Sequence, residues 1–212
     1  NHGFVVRTAN HTWGHDIVYG SGDIRLTDGQ LDSILGNLDA LFCSHWHGDH
    51  SDTRVIARAV ELDIPVVLAP LPQGDWLRRQ LAEVLDSPLV AVPDRAASTQ
   101  IETRSGALDV YVYPGHQGTL ENNVYVVTSD SMSIMHFGDQ SSGDDLSGWV
   151  ARVGDERRID LMLPNVWTEW IKRVADGVRP RAAIPGHENE LGHRFELRHA
   201  YDKAVAEYSE HM

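Results

Sequence analysis

Three histidines and an aspartate lie within six consecutive residues of this chain, in the run HWHGDH that begins at His45. Imidazole nitrogen and carboxylate oxygen are donors that zinc, manganese and iron accept, and no thiolate is needed. His45 and His47 can share one ion if the loop stays extended. Gly48 permits a sharp turn, after which Asp49 and His50 can face a neighbouring ion. The spacing therefore predicts a site for divalent metal ions, with a plain polar loop as the alternative.

The elements around this run predict a layered α/β fold. Residues 39–43 are predicted to form a buried strand that delivers the histidines to a loop, and 53–62 to form a helix. Further strands are predicted at 64–69, 108–113, 123–128, 133–137, 159–163 and 182–184. Further helices are predicted at 75–85, 166–175 and 195–207. A β-rich first part followed by strand–helix alternation is typical of α/β layered domains.

The order His-x-His-x-Asp-His resembles the signature of the metallo-β-lactamase superfamily. That pattern continues with a histidine, an aspartate after a glycine, and a last histidine, each at a strand end. His116, Asp139 and His187 match these positions in order, over roughly residues 4–190. The resemblance implies an α/β, four-layer αββα sandwich in which 1–212 form a single domain.

The resemblance also implies how two divalent metal ions are held, zinc first, with manganese or iron as alternatives. The ligands are expected to be His45, His47 and His116 for the first ion, Asp49, His50 and His187 for the second, and Asp139 bridging both. Two such ions hold a bridging hydroxide that attacks a carbonyl or phosphorus centre. Asp49 and Asp139 are the expected catalytic residues, with Asp49 orienting the nucleophile or accepting a proton. His47 argues against the di-iron branch that reduces oxygen or nitric oxide, where a glutamate typically stands.

The three later residues, His116, Asp139 and His187, can also be interpreted without assigning them as metal ligands. His116 lies in Gly-His-Gln-Gly, which looks like a turn, and Asp139 precedes serines as a helix cap does. His187 competes with His193 as the last ligand. His136 is expected to lie in the core or to support a ligand. The remaining histidines are expected to be surface or structural residues: His2, His11, His15, His199 and His211.

Within the superfamily, residues 122–139 resemble the branch related to ascorbate-6-phosphate lactonase. One departure is that Gly-Asp is followed by Gln-Ser-Ser at 140–142, whereas the phosphodiesterase and thioesterase branches commonly have Thr. Pro185-Gly186-His187 resembles those branches instead. The expected function is hydrolysis of a small ester, lactone, thioester or amide. The alternatives are a metallophosphodiesterase for small phosphodiesters and a non-catalytic metal-binding protein.

Residues that wall the substrate pocket are harder to assign from sequence. Trp46 and the run 165–170 are candidates, with Asn165 the better polar one. Helix packing is the favoured interpretation for Trp170 and an equal alternative for Trp167, because both share a predicted helical face with later apolar residues. Glu169 and Glu188 are candidates for the general acid only because they are near site segments.

Composition narrows the class of partner. The formal net charge is −13, and no basic patch offsets it, so long nucleic acids are not expected to bind. No apolar run approaches the roughly 20 residues that cross a bilayer, so we expect no membrane association. The expected partner is a small-molecule substrate. One cysteine leaves the compartment undecided, with the cytoplasm as the default. The chain starts with Asn1 and enters a strand-like run at 3–6, so we expect that an N-terminal strand or an export signal preceded it. Nothing indicates the oligomeric state.

Overall fold

Two five-stranded sheets stack face to face at the centre of the molecule. The structure, a computed structural model, describes residues 3–21, 24–72, 75–166, 170–187 and 199–211. The first sheet has the order β1-β2-β5-β6-β7, with β1 at Phe4–Arg7, β2 at Thr12–His15, β5 at Ala40–Phe42, β6 at Val66–Val67 and β7 at Val90–Ala91. The second has the order β12-β11-β10-β9-β8, with β8 at Ala97–Thr103, β9 at Gly106–Gln117, β10 at Leu120–Ser129, β11 at Met132–His136 and β12 at Leu161–Leu163. A small hairpin consists of β3 at Gly20–Ser21 and β4 at Ile24–Arg25.

Helices cover the outer face of each sheet. The first sheet is packed by α1 at Asp28–Leu35, α2 at Thr53–Glu61, α3 at Asp75–Gln80 and α4 at Ala82–Leu85. The second is packed by α5 at Gly143–Ser147, a 3₁₀ turn at Val150–Arg152, α6 at Val153–Glu156, α7 at Ile171–Val178 and α8 at His199–His211. A third apolar core lies between the sheets. Three cores separate four layers, so the expected αββα order is confirmed.

Strand β10 shows why the second sheet is buried on both faces. Side chains alternate from face to face along a strand. Val124 and Val126 therefore pack against the helices, while Tyr125 and Val127 pack between the sheets. Residues 124–127 have no polar face because neither side of the second sheet is exposed to solvent there.

The parallel pairings bring several strand ends to one edge of the sandwich. In the first sheet β2, β5, β6 and β7 are mutually parallel. In the second, β9 and β11 both run antiparallel to β10, so they share a direction, and β12 is parallel to β11. The amide of Asn123 in β10 donates to the carbonyl of Ser44, 2.8 Å away, and so ties the two sheets together beside the loop that follows β5.

Two predicted helices are wrong in extent. The helix expected over 75–85 is interrupted at Leu81, and Trp76, expected on its apolar face, is 67% exposed. The helix expected at 166–175 begins only at Ile171. At the predicted start of the helix, Asn165 instead pairs with Gly186, and the backbone amide of Val166 donates to the Gly186 carbonyl.

The remaining differences concern short elements. The strand expected at 182–184 is present only as isolated bridges at Ala183 and Gly186. Strands β2, β3, β4, β7 and β8 and helices α1, α5 and α6 were not predicted, and residues 195–198 of the expected closing helix lie outside the described residues. Among the helices that are described, none has both the length and the apolar character needed to cross a membrane.

Candidate metal centre

The loop after β5 folds into a tight turn that presents its histidines. The amides of His50 and Ser51 both donate to the His47 carbonyl, at 3.0 and 2.8 Å. The Ser51 hydroxyl donates to the His45 carbonyl at 2.6 Å. His45 and His50 are fully buried, whereas His47 is exposed and Asp49 is half-buried. The loop therefore aims two imidazoles inward and leaves two potential ligands toward solvent.

Six of the seven predicted ligands form two adjacent clusters. The first contains His45, His47 and Asp139, and the second contains Asp49, His50 and His187; within each, one donor atom of every member lies within 4.8 Å of the others. Asp139 touches both clusters. Its Oδ2 lies 3.5 Å from His45 Nε2, and its Oδ1 lies 3.2 Å from His50 Nε2 and 3.1 Å from His187 Nε2. The structure thus brings Asp139 between the two groups, and its interpretation as a helix cap is wrong, since Ser142 caps α5.

The second cluster brings imidazole nitrogens and carboxylate oxygens together. His50 Nδ1 lies 2.7 Å from an Asp16 oxygen, so once the ring is neutral its proton is on Nδ1 and its lone pair is at Nε2. That nitrogen lies 3.4 Å from Asp49 Oδ2 and 2.9 Å from His187 Nε2. In the first cluster, the buried His45 Nε2 has no hydrogen-bond donor or acceptor among the described residues. Imidazole and carboxylate donors arranged in this way fit divalent cations.

Without a cation, protons hold the second cluster together. Burial alone would lower the pKa of His187, but hydrogen bonds to Asp139 and Asp49 raise it to about 9. Burial would raise the pKa of Asp139, but the His187 and His50 imidazoles hold it well below its usual range. The pKa of His45, by contrast, is lowered to about 3 by burial and by the charge of His50.

Cation uptake is therefore expected to be pH-dependent. A metal ligand must be deprotonated, so binding has to displace the proton that His187 carries below about pH 9. We expect the apparent affinity for Zn²⁺ to rise between pH 6 and pH 8, by about tenfold per pH unit for each displaced proton. Competition against a chelator of known affinity measures this, and calorimetry in buffers of different ionisation enthalpy counts the protons. A pH-independent affinity over this range would contradict the protonated cluster.

Asp16 is a buried carboxylate that sequence analysis missed. It directly follows β2 and is fully buried. It accepts the Ser44 amide at 2.7 Å and the Ser44 hydroxyl at 2.6 Å, and it faces His50 Nδ1. The same hydroxyl lies 3.0 Å from His45 Nδ1. Asp16 thus orients one imidazole directly and another through Ser44, as carboxylates do behind metal-binding histidines.

Two further histidines form a stacked pair behind Asp16. The rings of His15 and His136 lie 4.5 Å apart at an interplanar angle of 12°, and both are fully buried. His136 Nε2 is 3.8 Å from Asp16 Oδ2, and Trp13 Nε1 lies 3.0 Å from His15 Nε2. The structural interpretation of His15 and the supporting interpretation of His136 agree with these positions.

Asp139 is placed by side chains from three neighbouring strand ends. The backbone amide of Asp139 donates a hydrogen bond to Asn122 Oδ1 at 3.0 Å. The side-chain amide of Gln117 donates to Asp139 Oδ2 at 2.9 Å. Asn165, expected as a polar wall of the pocket, is instead fully buried, and its amide donates to the carbonyl of Gly138 at 3.3 Å. Asn165 therefore supports the loop that carries Asp139.

Gly138 is required by both conformation and space. Its φ is +52°, and a Cβ there would lie 2.3 Å from Asn122 Oδ1 and 2.7 Å from the Ser44 hydroxyl. We expect Gly138→Ala to lower the free energy of unfolding by about 2–4 kcal/mol, combining backbone strain with overpacking. Denaturant unfolding measures the loss. Gly118→Ala is the matched control, because Gly118 has a φ of +58° with open space around it. Equal losses in the two variants would exclude the close contact as a cause.

His116 lies apart from both clusters, although the seven residues were predicted together. It is near the end of β9 and half-buried, and its Nδ1 lies 2.9 Å from Asp145 Oδ2. Trp46 packs with the first helical core and donates to the carbonyls of Ala69 and Pro70. Trp170 precedes α7 and is 40% exposed, with the Arg173 guanidinium over its ring. The candidates that lie outside the described residues are Trp167, Glu169, Glu188 and His193.

Comparison with known proteins supports the fold. No family model matches the chain. A protein named UPF0173 metal-dependent hydrolase from Opitutus terrae is 29% identical over 174 residues, which are 76% of this chain and 71% of that protein. A solved metallo-β-lactamase fold protein, YhfI of Bacillus subtilis, has a TM-score of 0.60 at 13% identity, covering 95% of this chain and 85% of that one. A possible metal-dependent hydrolase of Veillonella parvula has a TM-score of 0.65 at 13% identity, covering 100% and 92%. The chain has the metallo-β-lactamase fold.

Proposed function

We propose that this chain is a metal-dependent hydrolase that uses two divalent cations, zinc foremost, to cleave a small ester, lactone, thioester or amide. The observation that carries the proposal is the pair of adjacent His/Asp clusters with Asp139 between them. The 29% identity with a protein named as a metal-dependent hydrolase supports the same reaction class.

Six of the proposed ligands are the members of the two clusters: His45 and His47 for one cation, Asp49, His50 and His187 for the other, and Asp139 for both. His116, which lies outside both clusters, is proposed as a further ligand of the first cation. Cations bound there would supply an activated water molecule and draw electron density from the substrate oxygen that gains charge.

The open side of the centre is where the substrate approaches in this proposal. His45, His50, Asp139 and His187 are buried, whereas His47 is exposed and Asp49 is half-buried. Burial would raise the pKa of Asp49, but hydrogen bonds from His187 and His50 hold it well below its usual range. Asp49 is therefore an ionised carboxylate at the accessible face. It can orient the attacking water, and we assign it that role.

The proposed substrate class follows from the net charge of the chain. That formal net charge is −13. A long polyanion would gain no attraction here. We therefore expect neutral or weakly charged small molecules, with small phosphodiesters as the alternative that a substrate screen distinguishes.

The test combines metal content with turnover. We expect purified protein to contain about two equivalents of zinc, manganese or iron by elemental mass spectrometry, as a two-metal centre requires. A panel of esters, lactones, thioesters, amides and small phosphodiesters is then screened with that metal. His47→Ala is expected to abolish turnover while circular dichroism stays unchanged, and His211→Ala, at the end of α8, is the control. No metal uptake after reconstitution, or full turnover in His47→Ala, would refute the proposal.

A further inference from the structure

The segment that follows Asp139 holds His116 through four hydrogen-bonding contacts. The His116 amide donates to Gln140 Oε1 at 2.6 Å. The amides of Ser141 and Ser142 donate to the His116 carbonyl at 3.0 and 3.2 Å. The His116 Nδ1 lies 2.9 Å from a carboxylate oxygen of Asp145. Both the backbone and the imidazole of this histidine are thus positioned by one stretch, residues 140–145.

Asp145 is itself fixed in place by that stretch. It lies in the first turn of α5, where its amide donates to the Ser142 hydroxyl at 3.4 Å. Its side chain is only 12% exposed. Ser142 therefore contacts the His116 carbonyl with its amide and caps the helix that carries Asp145. The backbone that carries the carboxylate is therefore held beside His116.

A carboxylate at Nδ1 determines which ring nitrogen can bind a metal. The neutral imidazole carries one proton, and a carboxylate accepts it at Nδ1, which leaves the lone pair at Nε2. Such partners fix the tautomer and ring orientation of metal-binding histidines and raise their basicity. His50 has the same arrangement, with Asp16 at its Nδ1.

We propose that Asp145 is the positioning residue for His116, and that it keeps Nε2 unprotonated, so that a cation held by His45, His47 and Asp139 can take His116, which lies outside both clusters, as a further ligand. The inference rests on the proposed function, because it needs a metal at the first cluster. It also gives a role to Gln140, Ser141 and Ser142, where the sequence departs from related branches. These residues hold His116 and Asp145 together.

The proposal makes a prediction that is specific to one cation. Asp145 contacts His116, whereas the imidazole of the second cluster, His50, is oriented by Asp16. Asp145→Ala should therefore weaken one of the two metal-binding steps about 10–100-fold and leave the other unchanged. Asp145→Asn should lose less, because its amide oxygen can still accept the Nδ1 proton. Asp144→Ala is the matched control, since Asp144 is an exposed acid in the same first turn.

The experiment is a titration of metal-free protein with Zn²⁺ against a competing chelator, which resolves the two steps. If the wild type bound no metal, the proposed function itself would fail. If the wild type bound two ions and Asp145→Ala weakened neither step, or both equally, only this inference would be overturned. Long-range ¹H–¹⁵N spectra of the wild type, with His116 assigned from a His116→Gln variant, give a second readout that does not depend on the variant folding. The proton is expected on Nδ1, and a proton on Nε2 of the neutral ring would refute the role of Asp145.

Discussion

Asp139→Asn is expected to abolish hydrolysis and to remove metal from both clusters. The two oxygens of Asp139 face different clusters, and the substitution preserves the volume while removing the charge. Without two cations to stabilise the charge that develops in the transition state, the activation free energy is expected to rise by about 4 kcal/mol or more. That increase corresponds to a loss of activity of at least about 10³-fold. Turnover and metal content of the same preparation measure the two effects.

A matched carboxylate tests whether the effect is local. Asp109 lies on the same sheet, in β9, but is exposed and accepts a hydrogen bond from Gln100. Asp109→Asn makes the same chemical change and is expected to leave metal content and turnover unchanged. If Asp139→Asn kept its full complement of metal, Asp139 would not be a shared ligand.

Asp16→Ala has the second largest expected effect, and it acts on stability as well as on metal. The substitution leaves the Ser44 amide, the Ser44 hydroxyl and His50 Nδ1 without their buried acceptor. Removing one partner of a buried ionic network costs about 3–5 kcal/mol of the free energy of unfolding. Metal affinity is expected to fall about 10–100-fold in addition, because the imidazoles lose their orientation.

These two losses can be separated. Burial would raise the pKa of Asp16, but the His136 and His50 imidazoles hold it well below its usual range, so the carboxylate is ionised in the fold. Denaturant unfolding with chelator present measures the stability loss without the linked contribution of bound metal. Zn²⁺ titration of the folded variant measures the loss of affinity.

Asp39 provides the control for Asp16. It is likewise buried and lies at the opposite end of β5, where it accepts the Thr12 amide at 2.7 Å and the Ser105 hydroxyl at 2.6 Å. Asp39→Ala is expected to destabilise the fold without changing metal affinity. If both variants weakened metal binding equally, general loosening of the first sheet would explain the result, and the orienting role of Asp16 would be wrong.

The sequence by itself determined the fold class and most of the proposed ligands. His45, His47, Asp49 and His50 were proposed because their spacing is local, and a single loop suffices to bring them together. Asp139 and His187 could be added only because the order of motifs resembles a known pattern. The central parts of strands β9 and β10, at 108–113 and 123–128, were predicted because they are rich in β-branched and aromatic residues.

The tertiary structure decided which carboxylates form hydrogen bonds with the imidazoles of the proposed ligands. Asp16 and Asp145 have no local signature, since a carboxylate acquires its role only when the chain brings an imidazole nitrogen to it from 34 or 29 residues away. The late start of α7 has a similar cause, because Asn165 and the backbone amide of Val166 pair with Gly186 where the helical periodicity predicted a helix start. Spacing along the chain encodes local geometry, whereas the hydrogen-bond partner of a buried polar atom depends on how distant strands are registered in the folded protein.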